Sequence, residues 1–169
     1  MQTQAPSSKY NICTLIYNSE ITGCDPGWTY FDHTEMCYKH EQTKMRWQDA
    51  CKSIPFKTLA SVHDKTTNDF LFNLSGGSDN YWIGGYRDDL GTWHWADGSR
   101  WTGYSNWAPG EPNNWAQNEN YLSVKGGNWN DFYSAGTLGY ICQQQRNNIP
   151  PGKTKPWTLF QSEEKMKEY

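Results

Sequence analysis

An α+β domain is the architecture this sequence predicts, on three observations. Helix-like periodicity is confined to two segments in the first half of the chain, after Thr43 and after Asp64. After Gly77 the texture changes to short β-like runs, separated by long stretches rich in Gly, Asn, Asp, Pro and Trp. The chain is also rich in aromatics: ten Trp, eleven Tyr and six Phe make up 16% of 169 residues. Each buried aromatic removes roughly 150–250 Å² from water, enough to build a core despite a mean hydropathy of −0.94. Helices followed by strands is the order of an α+β domain, and the aromatic content excludes disorder throughout.

Residues 1–23 are polar and aperiodic and read as an N-terminal flank. GWTYF (27–31) reads as a short strand. From Thr43 onward, Met45, Trp47, Ala50, Cys51 and Ile54 recur at helical spacing, which predicts an amphipathic helix. Asp64 is placed to cap a second helix that carries Phe70, Leu71 and Leu74 and stops at Gly76-Gly77. YWIGGY (81–86), TWHWAD (92–97), ENYLSV (119–124) and LGYICQ (138–143) read as strands. Loops as long as those between them are functional or disordered in compact domains, and the tryptophans within them argue for order. Residues 144–169 open on a Pro/Gly/Asn-rich stretch and end in SEEKMKEY, one helical turn at most. The domain is thus bounded at 24–143, with 144–169 a flexible tail and no internal repeat.

Charge narrows the partners. Residues 24–143 hold 14 acidic and 9 basic side chains, a local net of −5, and the remainder sums to +2. No basic stripe accompanies the aromatics, which argues against nucleic acid. No apolar run approaches the roughly 20 residues of a bilayer span. A mildly acidic domain is more compatible with a bound cation. The start, MQTQAPSSKYNICTLIY, lacks the pattern of a secretory signal. Taken literally it would suggest the cytosol, so the cysteines must decide the compartment.

Five cysteines stand at 13, 24, 37, 51 and 142, without CxxC or His-paired zinc spacing. Cys24 and Cys37 bracket a strand-like segment; Cys51 falls on the expected first helix and Cys142 on the last strand. A bridge across about 90 residues is worth about 4–5 kcal/mol in the chain-entropy model. Two disulfides, hence an oxidising compartment, are expected; buried free thiols are the alternative. Cys13 is then left free or available to link another chain. The sequon Asn73-Leu74-Ser75 is compatible with secretion.

The stretch WAPGEPNNWAQNENYLSVKGGNWND (107–131) concentrates hard oxygen donors: Glu111, Asn113, Glu119, Asn130 and Asp131. Carboxylates mixed with neutral carbonyl oxygens are the donor set that Ca²⁺ prefers. A cis bond at Glu111–Pro112 would turn the Glu111 and Asn113 side chains the same way, and X-Pro bonds adopt cis at a cost of only about 0.5–1 kcal/mol. Any one of these residues alone reads as a polar turn residue.

Taken together, CDPGWTYF…MCY, W…AC, YWIGG, TWHWADGS, Trp107, EPN (111–113), Glu119, WND (129–131) and ICQ resemble, in order, the long form of the C-type lectin-like domain. The resemblance covers residues 24–143. It implies an α+β fold with two helices, antiparallel sheets and a long calcium-binding loop. It also implies one primary Ca²⁺ site on Glu111, Asn113, Glu119, Asn130 and Asp131, with Pro112 cis. Ca²⁺ would complete its shell with two adjacent sugar hydroxyls, which hydrogen-bond Glu111, Asn113, Glu119 and Asn130, acids accepting and amides donating. EPN in this family goes with mannose, glucose, N-acetylglucosamine and fucose-type geometry. Trp115, two residues past the motif, could stack on a sugar face, and in relatives a nearby aromatic favours galactose; anchoring the loop is its other reading.

Two departures from the family pattern stand out. The internal loop disulfide is absent, Tyr121 and Ser134 occupying its positions, so the loop would lean on calcium and on Trp107 and Trp129. At the auxiliary calcium site, Asn114 and Asn120 replace acids and Arg87 opposes a cation, which leaves a second ion doubtful. Of the tryptophans, 28, 47, 82, 93 and 95 are expected in the core and 107, 115 and 129 in the loop.

The function expected is therefore a secreted or cell-surface calcium-dependent lectin for glycans or glycoconjugates, gaining avidity as an oligomer, for which Cys13 offers a link. A module for protein, ice or mineral on the same fold is the second class. Glycosidase carboxylates are the third, disfavoured because committed calcium ligands are poor proton donors. His33, His40, His63 and His94 show no catalytic or metal-binding spacing.

Overall fold

The computed structural model describes residues 22–53, 57–77 and 80–147. They form one eight-stranded sheet and, among the described residues, one α-helix. The strands are β1 (Thr29–Phe31), β2 (Met36–Met45), β3 (Thr58–Leu59), β4 (Tyr81–Arg87), β5 (Trp93–Trp95), β6 (Glu119–Lys125), β7 (Asn128–Tyr133) and β8 (Leu138–Gln145); the helix is α1 (Lys65–Leu74). The sheet order is β1-β2-β8-β4-β6-β7, with β3 added on β8 and β5 on β4. Cys13 and the SEEKMKEY segment lie outside the described residues.

The expected helix at Asp64 forms. The Asp64 side chain accepts from the Thr67 N–H at 2.7 Å, and the Ser75 N–H closes on the Leu71 carbonyl at 3.0 Å. Gly76 and Gly77 then take φ of 74° and 69°, which ends the helix in the left-handed region.

The helix expected from Thr43 does not form. Thr43–Met45 complete β2, which pairs with β8 as far as Met45↔Leu138. Trp47–Asp49 make a single 3-10 turn, after which Ala50 is extended and Cys51 has φ 63°; Ile54 lies outside the described residues. The apolar residues at helical spacing do share one cluster, with Ala50, Cys51, Met45 and Trp47 packing beside Trp82 and Tyr140. A strand followed by a tight turn delivers them there, because β8 offers ladder hydrogen bonds that an isolated helical segment would forgo. The expected antiparallel pairing holds for every named strand pair except one at the centre. β4 and β8 run parallel, Tyr81 opposite Gly139 and Trp82 opposite Tyr140. Parallel neighbours need a long connection, and everything between Arg87 and Leu138 supplies it.

The strand period of two sorts side chains to opposite faces of this sheet. Tyr81, Ile83 and Ile141 enter a cluster with Leu71, Leu122, Trp95 and Trp129, while Trp82, Leu138, Tyr140 and Cys142 enter the other. Gly84 belongs where β4 meets β3: a Cβ there would lie 2.8 Å from the Leu59 carbonyl oxygen, and the Gly84 N–H donates to Ala60 O at 2.7 Å.

Two disulfides close the domain, Cys24–Cys37 and Cys51–Cys142, with Cα separations of 5.7 and 5.9 Å. The free-thiol alternative is overturned for these four cysteines. Trp129 also departs from expectation. It is fully buried on β7 and belongs to the core, with Trp107 packed against it. Trp28, Trp47 and Trp93 are only partly buried at the margins of the two clusters.

Candidate functional site

The loop joining β5 to β6, residues 96–118, is built on aromatic packing. Trp101 stacks on Trp95 at 4.6 Å, and Trp107 lies 4.9 Å from Trp93. Trp129 presents its ring at near right angles to Trp95, Tyr104 and Trp107, at 5.6–5.7 Å. Its indole N–H donates to Asn68 Oδ1 of α1 at 2.7 Å, so the polar end of a buried aromatic is satisfied. Backbone bonds complete the attachment: Trp129 N–H to Asn106 O at 2.7 Å, and Ala108 N–H to Trp129 O at 2.8 Å. The loop is thus fastened to the strand that carries Asn130 and Asp131. Tyr121, at one of the missing disulfide positions, stacks on Trp47 at 4.6 Å and accepts from Gln48 Nε2 at 2.7 Å. Trp101 and Asn68, both needed here, escaped the sequence reading; Asn68 gave no signal, and Trp101 gave only its composition.

The Glu111–Pro112 bond is cis. Asn113 Nδ2 donates to Glu111 Oε1 at 2.8 Å, so the two side chains do face the same way. Three consecutive backbone N–H groups then point at carboxylates. Asn113 N–H is shared by Glu111 Oε2 at 3.2 Å and Asp131 Oδ1 at 3.0 Å; Asn114 N–H reaches Asp131 Oδ2 at 2.8 Å; Trp115 N–H reaches Glu119 Oε2 at 2.9 Å. Glu111, Asn113, Glu119 and Asp131 therefore belong to one network, whereas the Asn130 carboxamide turns onto the Asp131 main-chain carbonyl. Trp115 is 74% exposed and makes no aromatic contact among the described residues, which removes its loop-anchor reading. Just beyond the motif, Asn114, Ala116 and Gln117 take φ of 48°, 54° and 57°. Asn tolerates that region; Ala and Gln hold it at a cost of about 1 kcal/mol or more each.

Asp131 is fully buried and Glu119 is 7% exposed, yet no ion pair among the described residues engages Glu111, Glu119 or Asp131. Burial, reinforced by the hydrogen-bonded Asp131 carboxylate, raises the Glu111 carboxyl above its ordinary value. Burial also raises Glu119, with Asp131 adding to the shift and the Trp115 N–H and Arg87 opposing it. Anionic oxygens are thus gathered out of water with too little positive charge to balance them. Among the described residues no three His, Cys, Asp or Glu side chains stand together as a ready metal cluster. The donor set is instead mixed, carboxylates alternating with carboxamides, and hard oxygens of this kind fit Ca²⁺ rather than a softer metal.

A lectin C-type domain model matches residues 35–144. The chain belongs to the C-type lectin domain family. It is 36% identical over 129 residues to a mouse low affinity immunoglobulin epsilon Fc receptor, covering 72% of this chain and 37% of the receptor. The chain thus spans little more than a third of that relative. A snake C-type lectin, lectoxin-Lio1 of Erythrolamprus poecilogyrus, is 35% identical over 146 residues, covering 79% of this chain and 85% of the lectin. Among solved structures, the cow CD23 carbohydrate-recognition domain, determined in the presence of a GlcNAc2Man3 oligosaccharide, superposes with a TM-score of 0.67 at 32% identity, covering 74% and 98% of the two chains. A calcium-independent type II antifreeze protein shares the fold at a TM-score of 0.64 and 25% identity, covering 72% and 94%.

Proposed function

We propose that this domain is a calcium-dependent carbohydrate-binding module for sugars of the mannose, glucose, N-acetylglucosamine and fucose type. The observation that carries this reading is the network at residues 111–119 and 131, where under-neutralised carboxylates meet carboxamides at the rim of an ordered loop. A bound Ca²⁺ would supply coordination positions for two adjacent sugar hydroxyls. Glu111, Asn113, Glu119, Asn130 and Asp131 would hold it. Glu111 and Glu119 would accept hydrogen bonds from the same hydroxyls, while Asn113 and Asn130 donate to their oxygens. The Asn130 carboxamide would have to leave the Asp131 carbonyl to do so. Affinity for one monosaccharide would be millimolar, about −4 kcal/mol, so useful binding would come from several copies. Two disulfides favour a secreted or cell-surface setting.

Two other readings each have an observation in their favour. The exposure of Trp115 suits stacking on the apolar face of galactose. The fold shared with a calcium-independent antifreeze protein suits a non-sugar ligand. Competition with mannose and with galactose on a glycan surface, in calcium and in EDTA, separates all three. The expected result is inhibition by mannose and loss of binding in EDTA. Stronger inhibition by galactose would move the preference to the Trp115 reading, and glycan binding that survives EDTA would overturn the calcium mechanism.

A further inference from the structure

Glu119 opens β6, paired with Tyr133 of β7 but with no partner on β4. The β4–β6 ladder runs Tyr81↔Val124, Trp82↔Ser123 and Tyr86↔Tyr121, and stops there. The β6–β7 register slips between Glu119 and Tyr121, leaving Asn120 as the extra residue of a bulge. The Glu119 carbonyl therefore lies past the last β4–β6 pair, and a side chain supplies its donor. Arg87 Nη2 donates to Glu119 O at 3.0 Å and to Asn120 Oδ1 at 3.1 Å, and Arg87 Nε reaches the same Asn120 oxygen at 3.3 Å. The rest of Glu119 is held with equal economy. Its N–H donates to Asn114 Oδ1 at 3.3 Å, and its carboxylate accepts from the Trp115 N–H at 2.9 Å.

We propose that Arg87 is a positioning residue, a protein-borne cation that fixes Glu119 and Asn120 from behind so that the Glu119 carboxylate is aimed before any ion arrives. The proposal rests on the calcium reading above and adds to it a residue that touches neither ion nor sugar. A guanidinium suits the task because its planar fork satisfies the carbonyl and the carboxamide together, which an ammonium cannot do with the same geometry. It also sets its positive charge against the Glu119 carbonyl and the Asn120 carboxamide oxygen, which disfavours a second cation on those oxygens.

The sign of the effect makes the test sharp. As a mere neighbouring charge, Arg87 would repel a cation, and its removal would tighten calcium binding. As a positioning residue, its removal weakens binding, by roughly ten- to hundredfold as is usual for groups that orient metal ligands. Titration calorimetry of Ca²⁺ into the whole chain, without sugar, should give one ion for the wild type, the weakest binding for Arg87→Ala and an intermediate value for Arg87→Lys. In the metal-free proteins, exchange of the Trp115 amide hydrogen should be faster in Arg87→Ala, because its acceptor is no longer aimed. Equal or tighter binding by Arg87→Ala, or two ions on the wild type, would overturn the proposal. If the wild type binds no calcium, the site reading itself fails. The positioning role is then decided by the exchange data alone, where unchanged Trp115 exchange refutes it.

Discussion

Asp131→Asn is the substitution that best separates what the site costs from what it is for. Asp131 is fully buried and accepts the Asn113 and Asn114 N–H groups at 3.0 and 2.8 Å. An asparagine keeps one acceptor and turns an NH₂ toward the other N–H. Losing a hydrogen bond to a charged group costs about 1.5–3 kcal/mol. Against this stands the repulsion from Glu111. Its Oε2 and Asp131 Oδ1 lie 3.2 and 3.0 Å from the same nitrogen, which puts them no more than about 6 Å apart. Two unit charges within that upper limit and at an effective dielectric constant of 20 repel by at least about 3 kcal/mol, and water on the open side of Glu111 reduces that to about 2 kcal/mol. The two effects nearly cancel, so without calcium the variant should stay within about 1 kcal/mol of the wild type in urea unfolding. With calcium at a hundred times its dissociation constant, the wild type should gain about 2.7 kcal/mol and the variant none. A variant that loses more than about 2 kcal/mol in EDTA, or that keeps the calcium increment, would refute the reasoning.

Three further outcomes are expected. Because Glu111 and Glu119 are raised, the metal-free fold holds their protons more tightly than the unfolded chain does. Their penalty is fully present at neutral pH and is relieved on acidification, while calcium needs both deprotonated. The calcium increment in unfolding free energy should therefore shrink from pH 7 toward pH 5, before the ordinary glutamate value is reached. Taking the increment at each pH cancels His40, whose burial-lowered pKa destabilises the fold over the same window, and Asp25, whose pKa is lowered by its hydrogen bond to Lys57 and which matters only below its ordinary 3.8; an increment constant with pH would contradict this. Gly84→Ala drives a methyl against backbone at 2.8 Å and should cost about 1–3 kcal/mol by chemical denaturation, whereas Gly91→Ala, with open space around it, should cost only the strain of its φ of 85°. Replacing both Cys51 and Cys142 by Ala frees a loop of 91 residues and should lower stability by about 4–5 kcal/mol in the absence of reductant, a difference that vanishes when both proteins are fully reduced, which also opens Cys24–Cys37 in each.

How far the sequence could be read depended on whether the deciding interactions were local. Helix α1 was legible because Asp64, its apolar stripe and Gly76-Gly77 act within a few residues of one another. The segment from Thr43 misled because helical spacing only says that Met45, Trp47, Ala50 and Cys51 share a destination. The strand of β8 that decides how they reach it lies nearly a hundred residues away. β7 was missed as a strand because Asn130 and Asp131 are poor strand formers, and pairing with β6 and the burial of Trp129 override that preference. The candidate ligands were legible as a set of residue types at stated spacings. Their wiring was not: backbone N–H groups of residues 113–115 as carboxylate holders, Asn68 under Trp129 and Arg87 behind Glu119 appear only once the chain is folded.

The contrast between the locked tryptophans and Trp115 has an optical consequence. Trp95, Trp101, Trp107 and Trp129 form a linked set of ring contacts with centroids 4.6 to 6.5 Å apart, so their excited states are coupled. Trp115 stands in solvent two residues from Asn113. Iodide quenching excited at the red edge of the absorption band, compared between the wild type and Trp115→Phe, should therefore isolate the contribution of Trp115. The protein carries an intrinsic, label-free probe at the mouth of its own loop, and a sugar that covers the ring would announce itself as protection from iodide.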